Sequence, residues 1–118
     1  MMRTDPMRKP TRQHILEVRR QLLDLLASMD RNSKRGIERV AHLVDDYFAR
    51  MARLKGPEEM SVRALVQRTV ERLNKTHAGE PKMIAKRERV LLGDLINLGV
   101  ASAGIDSNDD WSGPWRTW

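Results

Sequence analysis

The chain has no cysteine, so it can form no disulfide, no thiolate metal site and no thiol nucleophile. Aromatic residues are scarce as well, with one Phe, one Tyr and three Trp among 118 residues, so a core must be built mainly from aliphatic side chains. Long apolar runs are missing. The greasiest stretch, VLLGDLINLGVASAG at 90 to 104, is interrupted by Asp94 and falls short of a bilayer span. The opening MMRTDPMRKP carries Arg3, Arg8 and Lys9 but leads into no apolar h-region, so no signal peptide is expected. These absences point to a cytoplasmic chain with no membrane partner. No segment alternates with period two between hairpin turns, and no internal repeat is evident, so strands and solenoids are not expected.

What is present is helical periodicity. At this length the chain fits one domain with a modest core. A first helix is expected from about Thr11 to Met29, where Ile15, Val18, Leu22, Leu25 and Met29 follow 3,4 spacing and Leu16, Leu23 and Leu26 widen the stripe. Asp30 to Ser33 breaks the pattern, and Ser33 can cap a second helix through about Leu54 with Ile37, Val40, Val44, Tyr47, Phe48 and Met51 on one face. Gly56-Pro57 ends it. A third helix starts between Pro57 and Ser61, with one or the other supplying the start signal, and runs to about Lys75. Thr76 to Pro81 reads as a loop, and a fourth helix spans about Lys82 to Leu98. Its second half is apolar nearly all round, which predicts that residues 90 to 101 form the centre of the packing. The fold class is therefore all-α: a four-helix bundle with short connections over residues 11–104, preceded by a basic arm at 1–10 and followed by an irregular Trp-rich tail at 105–118.

Charge is unevenly spread. Residues 105 to 118 hold Asp106, Asp109, Asp110 and Arg116, a net of −2, which leaves 21 basic against 13 acidic groups, a net of +8, in residues 1 to 104. Such a body attracts polyanions, nucleic acid first. At about 100° per residue, Arg35, Arg39, Arg50 and Arg53 fall within about 60° of one another on the polar side of the second helix. The stripe is roughly 27 Å long at 1.5 Å per residue. Arg68, Arg72 and Lys75 make a similar ridge on the third helix, and Lys82, Lys86 and Arg89 one at the start of the fourth. Arginine's planar fork suits bidentate phosphate contact. Every amphipathic helix has a charged outer face, however, and Glu38, Asp46, Glu71 and Glu88 are placed to temper these ridges by intrahelical pairing.

A helix-turn-helix is disfavoured, because six residues from Thr76 to Pro81 exceed the usual turn and the fourth helix is too apolar to stand free in a major groove. Catalysis also finds little support. His14, His42 and His77 lie in different segments without ligand spacing, adjacent Asp45 and Asp46 diverge by about 100° on a helix, and no Walker loop or GxSxG occurs. The chain reads as a non-enzyme without metal or cofactor, binding nucleic acid, RNA or single-stranded DNA, through backbone phosphates.

With its cysteine-free, basic helical body and the ridges at Arg35, Arg39, Arg50, Arg53, Arg68 and Arg72, the chain resembles in architecture the small subunits of CRISPR effector ribonucleoprotein complexes. The resemblance covers roughly residues 11 to 100. It implies a non-catalytic subunit, repeated along an RNA-guided assembly and supporting a nucleic-acid strand by its backbone. Separately, KRERVLLGDLINLGVASAG at 86 to 104 resembles one helix of accessory DNA-binding proteins of plasmid mobilisation, which implies a dimeric DNA-binding regulator. A helical adaptor or inhibitor of an acidic protein is the third reading.

The tail DDWSGPWRTW contains all three tryptophans, Trp111, Trp115 and Trp118. Two placements compete: folding back over an open end of the bundle, or docking as partner-binding residues into a neighbouring subunit, a different chain or another copy of this one. Stacking on bases is the weakest option, because Asp109 and Asp110 repel phosphate.

Overall fold

The computed structural model describes residues 10–29, 32–54, 58–80, 83–105 and 109–118. Residues 1–9 of the basic arm, the Asp30-Arg31 break, the Gly56-Pro57 stop and Lys82 lie outside them. Four helices follow in order: α1 (Arg12–Ala27), α2 (Lys34–Arg53), α3 (Glu59–Gly79) and α4 (Lys86–Ser102). Thr11 caps α1 by accepting from the His14 N–H, and Ser33 caps α2 by accepting from the Gly36 N–H. α3 begins one residue after Glu58, which makes no side-chain cap bond, and Ser61 lies inside the helix rather than capping it.

The helices form a four-helix bundle, each antiparallel to the next, as the pairing of Ser33 with Glu80 and of Asp46 with Arg72 shows for α2 and α3. α1 packs on α4 and α2, and α2 touches all three other helices. The centre of the packing is therefore α2, not residues 90 to 101 of α4 as periodicity predicts. α4 is indeed buried along Leu92, Leu95, Ile96, Gly99 and Val100, but Val90 is 58% exposed and Leu91 and Leu98 are only half-buried. On α2 the buried set is Gly36, Val40, Leu43, Val44, Tyr47 and Met51. Tyr47 locks α2 to α4: its hydroxyl donates to the Ile96 carbonyl at 2.6 Å, and a Cβ at Gly99 would collide with its ring. Burial pushes the Tyr47 phenol well above the usual tyrosine range.

Two boundaries differ from those read in the sequence. Thr76 to Gly79 is helical, not loop, because Thr76 is buried and its hydroxyl donates back to the Arg72 carbonyl, satisfying a polar group that would otherwise leave the helix. α4 starts at Lys86, since Met83 and Ile84 turn inward ahead of it and are buried at 1% and 4% exposure. The end of α4 carries a Schellman closure: Gly104 takes a positive φ of 92°, its N–H donates to the Ala101 carbonyl and the Ile105 N–H donates to Val100. Glu88, expected to pair along its helix, is instead wholly buried with neither carboxyl oxygen hydrogen-bonded.

α3 packs closely on α2 but not on α4, and residues 109–118 bridge that side. The Trp111 N–H donates to Asn97 of α4, and Arg63 of α3 lies 4.8 Å above the Trp111 ring. Three turns further along α3, Asn74 donates to the Trp115 carbonyl at 2.8 Å and accepts from the Thr117 N–H at 3.0 Å. The segment thus runs beside α3 in the same direction. Trp111 and Trp118 are buried at 6% and 7% exposure and belong to the core, with Trp115 packed against it. At about 25 cal/mol per Å², the 150–250 Å² of a buried aromatic contributes at most about 4–6 kcal/mol apiece. Residues 109–118 thus lie along the side of α3, not over an open end of the bundle. Among the described residues no helix is long and apolar enough to cross a membrane.

Candidate nucleic-acid interface

The apolar faces that bury α2 against α3 fix where the basic residues go. With Val40, Val44 and Met51 of α2 and Val62, Val66, Val70 and Leu73 of α3 turned inward, the arginines of both helices are left on the rim of the groove between them. The antiparallel packing sets Arg35 and Arg39 opposite Lys75 and Arg72 at one end, and Arg50 and Arg53 opposite Arg68 at the other. Two contiguous hollows at the first end share Arg39, Lys75 and Thr76, and a third lies at the second end. The two ridges read separately in the sequence are the walls of one groove. No Phe, Tyr or Trp side chain is among the residues lining these hollows, and His42 is the single ring there.

Midway along the groove, Asp46 accepts from Arg50 Nε at 2.8 Å and from an Arg72 guanidinium nitrogen at 3.2 Å. The first bond is the expected i,i+4 pair. The second crosses to α3. Its hydrogen bond from Arg50, followed by the charges of Arg50 and Arg72, holds the Asp46 carboxyl below the usual aspartate range. Its sequence neighbour Asp45 faces the other way and takes Arg19 of α1 in a fork at 2.8 and 2.9 Å. The divergence of about 100° expected for adjacent helical residues is thus realised as two ion pairs to two different helices. Arg35, Arg39, Arg53, Arg68 and Lys75 make no ion pair among the described residues.

One mouth of the groove is set by Glu80. Its carboxylate accepts from the Ser33 N–H at 2.9 Å and from the Ser33 hydroxyl at 2.8 Å, at the N-terminus of α2. Those two bonds, the backbone one foremost, lower its pKa. A Cβ at Gly36 would collide with Glu80 Oε2, so only glycine leaves room for this contact.

Seven of the ten basic positions picked out in the sequence therefore come together. Lys86 and Arg89 are exposed on the first turns of α4 and line none of these hollows, and Lys82 lies outside the described residues. His42 is exposed at the groove's first end beside Arg39 and Arg72. Sequence reasoning also missed Glu80, whose partner is 47 residues away and leaves no periodic signal. Trp111, Trp115 and Trp118 are on the opposite flank of α3, engaged with their own chain. Among the described residues no three His, Asp or Glu side chains gather as a metal site.

Comparison with protein-family models, curated proteins and solved structures gives no match. The functional reading rests on the groove itself.

Proposed function

We propose that the chain is a non-catalytic subunit that binds nucleic-acid backbone along the α2–α3 groove. The observation that carries this is the convergence of Arg35, Arg39, Arg50, Arg53, Arg68, Arg72 and Lys75, from two helices, on one groove. A solvated outer face scatters its charge around a helix. Here the basic side chains crowd together at the cost of mutual repulsion, which a chain of phosphates relieves. With no Phe, Tyr or Trp among the groove's lining residues and His42 its single ring, the groove offers no run of stacking platforms, so recognition is of the phosphate backbone with little base preference. The setting implied by the architectural resemblance, a multi-subunit RNA-guided complex, belongs to the same proposal, with other subunits contacting surfaces outside the groove.

The test is binding of a fluorescent 20-nucleotide oligouridine at 50 mM salt. Binding is expected, falling steeply with salt, and is expected to vanish when Arg39, Arg50, Arg68 and Arg72 are all changed to Glu while far-UV circular dichroism stays helical. No binding by the unaltered protein, or undiminished binding by the fourfold variant, overturns the reading.

A further inference from the structure

The groove is not uniformly available. Among the described residues its charges fall into a free, a paired and a free stretch: Arg35, Arg39 and Lys75 unpaired at one end, Arg50 and Arg72 both held by Asp46 in the middle, Arg53 and Arg68 unpaired at the other. The Asp46 carboxylate has bonds to both helices, so it is fixed between them rather than swinging in solvent. A phosphate arriving at the midpoint meets a negative charge and two guanidinium groups already engaged, one through Nε and one through a terminal nitrogen.

We infer that Asp46 is a positioning residue that clasps Arg50 and Arg72 out of phosphate contact, so that a single strand is held at two separate cationic clusters with a gap between them. This rests on the groove reading above. From Arg39 to Arg53 the two clusters are about 21 Å apart along α2 at 1.5 Å per residue. A strand that engages both gains through the tethering of its second contact, while the clasp keeps the centre from adding affinity.

Counterion release turns this into numbers. For single strands log K falls against log salt with a slope of about −0.7 per phosphate neutralised, so five free cations give about −3.5 and seven give about −4.9. With oligouridine 20-mer titrated between 50 and 300 mM salt, Asp46→Asn is expected to steepen the slope by about 1.4 and to tighten binding roughly tenfold at 50 mM. Removing the clasp whole, with Asp46→Asn, Arg50→Gln and Arg72→Gln together, is expected to leave the slope as it is in the unaltered protein. Arg39→Gln with Arg68→Gln is expected to flatten it by about 1.4. A triple variant that flattens as much as the Arg39 and Arg68 pair shows that Arg50 and Arg72 already meet phosphate, and overturns the clasp. So does a folded Asp46→Asn variant whose slope is unchanged. If that single variant fails to fold, the triple and the pair decide the matter. Absence of binding by the unaltered protein removes the groove reading itself, a result distinct from any pattern of slopes.

Discussion

Helix α3 has two flanks, and they are treated in opposite ways. Toward α2 it leaves an open groove rimmed by arginines, whereas away from α2 its side is closed by Trp111, Trp115 and Trp118 with Asn74 and Asn97 tying the segment down. Both flanks rest on the same aliphatic floor. What differs is the chemistry at the rim: long cationic side chains stay in water and repel one another, while large apolar rings gain by leaving it. The contrast separates a surface kept available from one used for stability.

Four experiments test that separation, from the largest expected effect to the smallest. Trp111→Ala should lower unfolding free energy by about 3–5 kcal/mol in urea titration and leave the salt slope of nucleic-acid binding unaltered in whatever folded protein remains. Loss of binding with stability intact would reverse the assignment of the two flanks. Asn74→Ala deletes the two bonds that hold the tail backbone at Trp115 and Thr117 and should cost about 1–3 kcal/mol, with local hydrogen exchange rising at residues 115–117.

Acid should act on both flanks. Asp46 and Glu80 at the groove are lowered by their bonds to Arg50 and Ser33 respectively. Burial raises Asp110 in the tail, but bonds from Ser112 and Arg116 outweigh it and the net shift is also downward. Carboxyls with folded pKa values below their ordinary 3.8 and 4.5 contribute stability that is complete above about pH 5 and is lost as pH falls through their folded values. Thermal melts should be flat from pH 7 to 5 and drop below about pH 4.5. The smallest effect belongs to the groove: Arg53→Gln with Arg68→Gln should change stability by no more than about 0.5 kcal/mol, because neither side chain has an ion-pair partner among the described residues.

The helices of the bundle were largely legible in the sequence because 3.6-residue periodicity is a local signal: Thr11 and Ser33 cap where their residue type says they should, and the stripes of α1 and α2 are buried at Val18, Leu22 and Leu26 and at Val40, Val44, Tyr47 and Met51, although Leu16 is 48% exposed and Ile15, Leu25, Ile37 and Phe48 are half-buried. Thr76 to Gly79 misled because its composition is that of a loop, while its helical state depends on burial against the rest of the bundle. The apolar second half of α4 overstated its centrality, since periodicity reports how much of a helix is greasy and not how many neighbours it has. The ridges on α2 and α3 were visible one helix at a time. Their meeting in one groove depends on antiparallel packing, as does the exclusion of Lys86 and Arg89, which ride on a helix packed against α1 and α2. The tail's placement hung on Asn74 and Asn97, two side chains whose role exists only once α3 and α4 are side by side.

Because every tryptophan of the chain lies in the closed flank, the protein carries a built-in optical label there and none in the groove. Tryptophan emission reports whether the tail is seated, and far-UV ellipticity reports the helices. If the two melt at different temperatures, the tail unseats as a separate cooperative unit, and the gap between the curves measures how much of the bundle's stability it supplies. A strand entering the arginine groove should leave the emission unchanged unless it moves α3, which makes the tail a silent witness to binding on the other side of the same helix.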